Sequence, residues 1–147
     1  MKDLFNILAN NHSFDEAIDY FKGKVILPPS QFYRIANEYK ALAFTVSGYS
    51  KVEILKQFYE EILKALENGI TMQEFKKNMN TFLEDKGYVG LTNFQADNVF
   101  RTNIQTAYNA GHYKQMTEPT VMKLRPYWKY VAVDDRRTRL APVSYTH

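Results

Sequence analysis

A row of polar side chains at helical spacing is the first feature of this sequence that could do chemistry. Its members follow one another three or four residues apart: Asn98, Arg101, Gln105, Asn109 and His112. Amides and a guanidinium on one helix face are suited to hydrogen bonding. We therefore predict that Arg101, Gln105 and Asn109 bind DNA or a partner protein. Two roles stay open for Arg101: direct ligand contact, or an ion pair with Asp134 or Asp135 that holds the following loop.

A second charged group lies near the C-terminal end of the sequence. Asp134 and Asp135 follow an aromatic segment, and Arg136, Arg137 and Arg139 come next. Arginines close to aromatic residues can contact phosphates and stack on bases. The three arginines therefore predict contact with a partner protein or non-specific contact with DNA, and the alternative is a solvated basic face. In this interpretation the two aspartates form a structural network with the polar row.

The charge distribution favours a basic C-terminal third. The chain of 147 residues has a net charge of +3. Residues 1–100 hold 11 Lys or Arg against 13 Asp or Glu, whereas residues 101–147 hold 8 against 3. Such asymmetry is typical of a surface for nucleic acid or for an acidic partner.

Groups that could catalyse a reaction or bind a metal do not cluster in the sequence. His12, His112 and His147 are far apart, and none has a second His or a carboxylate at the spacing of a metal site. The chain has no Cys, which excludes disulfides, thiolate zinc sites and cysteine nucleophiles. We therefore predict a non-enzymatic protein with no metal and no cofactor.

Composition predicts a folded protein of the cytosol. Hydrophobic residues make up 45% of the chain and aromatic residues 15%, which is too apolar for intrinsic disorder. No apolar run reaches 18 residues, and Asp3 stands where a signal peptide would carry basic residues. The sequence therefore predicts neither a membrane span nor a signal peptide.

Helix signals divide most of the chain into five predicted helices. A Ser or Thr followed three residues later by Glu or Gln marks a capping box, and this pattern occurs at Ser13, Ser50, Thr71 and Thr92. Ser30 gives a further start, and glycines at 48, 69 and 87 fit turns or helix ends. The predicted helices cover 14–22, 31–46, 51–67, 72–85 and 93–116. The third has an apolar stripe formed by Val52, Leu55, Tyr59, Ile62 and Leu66, with Glu61 on its charged side.

The hydrophobic period changes after Pro119. Residues 127–133 alternate in the manner of a strand. Since one strand cannot satisfy its own backbone, it pairs either with the β-like stretch 24–27 or with strands beyond the present C-terminus. The predicted fold is mainly α: a bundle of about five helices with a small C-terminal β element. We divide it into a helical domain, 1–118, and a strand with a basic turn, 119–147, that begins a truncated α/β portion.

Three segments together resemble a known family. They are LPPSQFYRIANEYKALAFTVSGYS from Leu27 to Ser50, FRTNIQTAYNAGHY from Phe100 to Tyr113, and RPYWKYVAVDDRRTR from Arg125 to Arg139. Their order and spacing are similar to those of the phage Mu F-like minor head proteins, also described as phage head morphogenesis proteins. The resemblance implies a minor capsid protein at the portal vertex that assists head assembly and genome packaging or ejection. It implies portal and capsid proteins as partners, and a location in the host cytoplasm during assembly and then in the virion.

The resemblance ends after Arg139. Family members usually continue with a proline, a His-Ala pair, a Gly and a further α/β portion, whereas this chain continues with LAPVSYTH from Leu140 to His147. We therefore expect a shortened chain. It would be a prophage remnant, a frameshifted product or a prepared fragment. The alternatives to an assembly role are a non-specific DNA-binding module and an inactive remnant of a nuclease- or toxin-bearing relative. If the missing portion normally covers the predicted strand, its edge would favour a homo-oligomer.

Overall fold

The architecture is mainly helical, as predicted. A computed structural model describes residues 14–127, and within them seven helices and two short strands follow one another. In chain order they are α1 (Asp15–Lys22), β1 (Val25–Ile26), α2 (Pro29–Phe32), α3 (Asn37–Lys40), β2 (Ala43–Phe44), α4 (Val52–Asn68), α5 (Met72–Asp85), α6 (Asn93–Met116) and α7 (Pro119–Leu124). None of the helices in this described range is long and apolar enough to cross a membrane.

Four of the five predicted helices are confirmed as α1, α4, α5 and α6. Two of the predicted capping boxes form. The Thr71 hydroxyl accepts from the Glu74 amide at 3.2 Å while the Glu74 carboxylate accepts from the Thr71 amide at 2.9 Å. Thr92 and Gln95 make the same reciprocal pair at the start of α6. The prediction for Ser50 is wrong, because Lys51 is the N-cap of α4 and makes no side-chain cap. Ser13 lies outside the described residues.

The end of α5 shows why the chain turns there. Gly87 has a φ of +80°, a left-handed conformation that a Cβ would disfavour. This conformation lets the Tyr88 amide donate to the Leu83 carbonyl at 2.8 Å and the Gly87 amide donate to the Glu84 carbonyl at 3.0 Å. Both bonds satisfy carbonyls that the helix leaves unpaired, in the Schellman arrangement. Gly48 and Gly69 also have positive φ, as predicted.

The predicted helix over 31–46 is wrong. This stretch forms α2, α3 and β2, separated by irregular backbone. Ala36 is extended, with φ −60° and ψ 148°, so no continuous helix passes through it. Tyr33, Tyr39 and Leu42 are more than half exposed. Tyr33, Tyr39 and Leu42 therefore do not form the buried face of a helix, and tertiary pairing of Ala43–Phe44 decides the local structure instead.

The two strands form a parallel pair. Val25 lies opposite Ala43, and Ile26 lies opposite Phe44. The β-like stretch 24–27 is thus confirmed as a strand at Val25–Ile26, and its partner within residues 14–127 is β2. The predicted strand 127–133 falls outside the described residues except for Tyr127, which is irregular.

The core lies where α4, α5 and α6 meet. Phe58 of α4 is fully buried, and its ring centroid lies 5.1 Å from that of Tyr49 and 6.4 Å from that of Phe75 in α5. The predicted stripe of α4 is confirmed for Leu55, Ile62 and Leu66, which are buried. Val52 is half exposed, because it occupies the first turn of the helix.

Glu61 is buried, and its predicted place on the charged side of α4 is wrong. Its side chain is 3% exposed. The carboxylate accepts from Lys64 Nζ at 2.9 Å, Gln57 Nε2 at 3.1 Å and Asn78 Nδ2 at 3.1 Å. Three donors offset the cost of taking the charge out of water. Since Asn78 belongs to α5, the same carboxylate also joins two helices.

Helix α1 crosses the C-terminal half of α6 at very close range. Gly111 is buried there, and a Cβ added to it would lie 2.8 Å from the Ala17 amide nitrogen. The Phe14 ring covers the same place and lies 4.7 Å from the His112 ring and 5.6 Å from the Tyr108 ring. The buried residues of α6 are Ala96, Ala107 and Gly111, which form one face of the helix. Its opposite face is left to carry the polar row.

Candidate functional site

The polar row runs along the exposed face of α6. Asn98, Arg101, Gln105, Asn109 and His112 are all exposed, as a binding face requires. Arg101 Nε lies 2.7 Å from Asp97 Oδ1, one turn earlier on the same helix. Its side chain is 76% exposed, so this ion pair orients the guanidinium without removing it from solvent.

A shallow apolar groove lies beside two members of the row. Arg101 and Gln105 border it, and Phe100, Ile104 and Tyr108 supply its floor, around a volume of about 240 Å³. Asn109 does not line the groove. The structure therefore brings two of the three predicted binding residues of α6 together with three apolar side chains.

The second predicted group lies beyond the described residues. Asp134, Asp135, Arg136, Arg137 and Arg139 all follow Tyr127 in the chain. Their proposed network with Arg101 therefore stays a prediction. Within residues 14–127, Arg101 has its ion pair with Asp97.

An exposed apolar surface at the end of α6 was missed by the sequence reasoning. We call it the C-terminal apolar surface; it consists of Tyr113, Met116, Val121, Met122, Leu124 and Tyr127. The residues stand on the last turns of α6, on α7, which contacts α6, and just after α7. Leu124 is 78% exposed and Tyr127 is 91% exposed. Large exposed apolar groups on adjoining elements are typical of contact with another protein. This surface was not predicted, because no helix was expected between Pro119 and the predicted strand 127–133.

A polar cleft at the other end of α6 was also missed. It lies between α6 and the turn that follows β2, and its volume is about 350 Å³. Its residues are mostly uncharged polar or aromatic: Thr45, Val46, Ser47, Tyr49, Leu91, Phe94, Gln95, Asn98, Val99, Thr102 and Asn103. Phe94 stands at its mouth and is 80% exposed.

The ion pairs that shift pKa values involve residues outside both the C-terminal apolar surface and the polar cleft. A hydrogen bond and the charge of Glu67 raise the pKa of Lys22, whose Nζ lies 2.9 Å from the Glu67 carboxylate. A matching bond to Lys86 at 2.8 Å lowers the pKa of Glu53. Both pairs are exposed and join separate elements of the fold. They are structural contacts in solvent and do not form a reactive centre.

No group of three or more His, Asp or Glu residues within the described range could hold a metal ion. His112 packs against Phe14, so its ring has a structural contact. Within residues 14–127 the geometry therefore offers hydrogen-bonding and apolar surfaces for macromolecular contact.

Known proteins resemble this chain over most of its length. A family model described as Phage Mu protein F like protein matches residues 56–141. The putative capsid assembly protein F of Escherichia phage Mu is 31% identical over 140 residues, covering 84% of this chain and 31% of that protein. The Mu-like prophage FluMu F protein of Haemophilus influenzae is 33% identical over 116 residues, covering 71% of this chain and 28% of that protein.

The chain thus spans about a third of the length of these relatives. No solved structure matches it. The family model covers α5, α6 and α7 together with most of α4, which are the elements that carry the core, the polar row and the C-terminal apolar surface. The chain belongs to the Phage Mu protein F like family.

Proposed function

We propose that this chain takes part in assembling a phage head, as a minor component associated with the portal that assists head morphogenesis and genome packaging or ejection. The observation that carries the proposal is the 31% identity over 140 residues to a protein named for capsid assembly. The role is non-enzymatic in this proposal. Its partners are portal and capsid proteins, and its place is the host cytoplasm during assembly and then the virion.

The C-terminal apolar surface supports a role through protein contacts. The side chains that form this surface are large and apolar. The positively charged side chains of Lys114, Lys123 and Arg125 are exposed on the same helices or next to them. Glu118 is the acidic residue of this stretch. An apolar surface with a basic border fits a partner whose own surface is apolar with acidic groups around it.

Replacement of the matching segment of phage Mu protein F by this chain tests the function. We expect the chimera to restore plaque formation to a phage that lacks F, because the two segments would present equivalent contacts to the head. A chimera carrying the FluMu segment is the positive control for tolerance of such a replacement. Restoration by the FluMu segment but not by this chain would refute the assembly role.

Two matched triple variants of the chimera locate the contact. Tyr113→Ser, Met116→Ser and Leu124→Ser remove apolar groups from the C-terminal apolar surface, whereas Tyr33→Ser, Tyr39→Ser and Leu42→Ser remove equally exposed groups near the sheet. We expect the first set to abolish plaques and the second to leave them. Equal loss in both sets would argue against a specific contact at the end of α6.

Contact with DNA is the remaining part of the proposal. We expect Arg136, Arg137 and Arg139 to give weak, non-specific binding to a short duplex, because arginines neutralise phosphates and release counterions. Light-scattering mass with the duplex should show a complex at 50 mM salt that is lost at 200 mM salt. Replacement of the three arginines by Ala should remove it, and Lys76→Ala with Lys77→Ala is the control for lost positive charge elsewhere. A chain that ignores the duplex at both salt concentrations would limit the function to protein contacts.

A further inference from the structure

The polar cleft has open hydrogen-bonding groups on its α6 side. The Gln95 side chain accepts from the Thr92 amide at 3.0 Å through Oε1, so its NH2 group is left to donate. The Asn103 NH2 group donates to the Val99 carbonyl at 2.8 Å, so its Oδ1 is left to accept. Asn98 lines the same wall and is exposed. This wall therefore presents both donors and acceptors to a ligand.

Two aromatic rings border the same cleft. Tyr49 lies in its wall, and its ring centroid lies 5.1 Å from that of Phe58 and 6.0 Å from that of Tyr88. These contacts hold the Tyr49 ring in place. Phe94 stands at the mouth of the cleft and is 80% exposed, so its ring is open to solvent. A flat ligand in the cleft can stack on a ring of this kind.

The charge distribution separates the inside of the cleft from its border. The described residues that line the cleft carry no charge. Arg101 follows Asn98 by three positions, so it stands about one turn farther along the same face of α6. Its Nε lies 2.7 Å from the Asp97 carboxylate, and its side chain is 76% exposed. The arrangement thus suits a ligand with an uncharged flat part inside the cleft and an anionic group beside it.

We propose that the cleft binds one unpaired base of single-stranded DNA, and that Arg101 contacts the neighbouring phosphate. A base is flat and uncharged, with donors and acceptors on its edge, and it is attached to an anionic backbone. The cleft volume of about 350 Å³ is large enough for one base. Thymine matches the amides well, because its two carbonyls accept from Gln95 and Asn98 while its N–H donates to Asn103. Duplex DNA does not fit, because its bases are paired and stacked.

Fluorescence anisotropy with the full chain tests the proposal. The probes are a short labelled oligothymidine and an abasic strand of equal length, which has the same phosphates and no bases. We expect oligothymidine to bind about tenfold more tightly, because only it can stack. Phe94→Ala should reduce this preference about fivefold or more, since it removes the stacking ring. Val89→Ala is the matched control, because Val89 is 88% exposed and outside the cleft.

Two charge-matched variants test the hydrogen bonds. Asn98→Asp replaces the donor by an acceptor oxygen of nearly the same shape, so it should also reduce the preference for oligothymidine about fivefold or more. Asn109→Asp adds the same charge to α6 outside the cleft. It should leave the preference unchanged, although it weakens the binding of both strands. Arg101→Gln should weaken both strands equally and reduce the dependence of binding on salt concentration.

Equal affinity for the two strands would overturn the proposal, and so would an unchanged preference in Phe94→Ala and Asn98→Asp. The site is separate from the duplex contact proposed for Arg136, Arg137 and Arg139. Replacement of these three by Ala should therefore keep the preference for oligothymidine, and its loss would contradict a site at the cleft. The proposal does not rest on the role in head assembly, since strand binding and plaque formation by the chimera are measured independently.

Discussion

Phe58→Ala should lower the free energy of unfolding by about 3–5 kcal/mol. Phe58 is fully buried at the centre of the core, between Tyr49 and Phe75. The substitution removes the ring from its contacts with Tyr49 and Phe75, and the packed backbones of α4 and α5 would prevent complete collapse of the cavity. Since a small domain is stable by about 5–15 kcal/mol, a large part of the stability would be lost. Urea unfolding followed by circular dichroism measures the change.

Phe94→Ala is the matched control for this prediction. It removes the same ring from a side chain that is 80% exposed, so the free energy of unfolding should change by less than about 0.5 kcal/mol. The slope of the unfolding curve should be the same in both variants. A loss below about 1 kcal/mol in Phe58→Ala would mean that α4 does not pack as described.

Gly111→Ala should also destabilise the fold, against the usual preference of helices for alanine. Ala is favoured over Gly inside a helix by about 0.8–1.0 kcal/mol. At this position, however, the added Cβ would lie 2.8 Å from the Ala17 amide nitrogen and 2.8 Å from Phe14 Cζ. The Phe14 ring can turn away, but the backbone of α1 must move. Overpacking of this kind costs about 1–3 kcal/mol, so we expect a net loss, and Gly111→Val should lose more.

Hydrogen exchange distinguishes this local effect from a general one. Gly111→Ala should speed exchange of the α1 amides while those of α4 and α5 keep their protection, because α1 contacts α6 at the altered position. Asn109→Ala is the control on the same helix, since Asn109 is exposed. It should be neutral or slightly stabilising. If Gly111→Ala were as stable as Asn109→Ala, α1 and α6 would be farther apart than described.

Local signals predicted the long helices well. Thr71 and Thr92 each mark the start of a helix. The capping residue and its partner are only three positions apart, so their interaction does not depend on the tertiary structure. The same argument explains Gly87, whose left-handed turn is a local requirement. Ser50 fits the sequence pattern equally well, but the turn before α4 places Lys51 at the cap.

The segment 31–46 could not be predicted locally. Whether Ala43 and Phe44 form a strand depends on Val25 and Ile26, which lie 18 residues earlier in the chain. Glu61 is a similar case, because its burial becomes acceptable only when Asn78 of α5 adds a third donor. In each case a contact distant in sequence outweighs the local pattern.

The candidate site was predicted in part. The exposed polar row of α6 follows directly from helical spacing. The groove beside Arg101 and the C-terminal apolar surface could not be derived, because they depend on which apolar residues the remaining helices leave uncovered. Phe100 and Tyr108 share the spacing of core residues, and only the packed fold shows that the groove reaches them.

The unbroken length of α6 fixes the distance between the polar cleft and the C-terminal apolar surface. Its 24 residues form a rod of about 36 Å, with the polar cleft near its first turns and the C-terminal apolar surface at its last. A helix of this kind does not shorten, and its N-terminal cap and the crossing at Gly111 hold it in place. The helix therefore sets the spacing of these two surfaces. A neighbouring protein that contacts both of them must have two contact points separated by roughly the length of the helix.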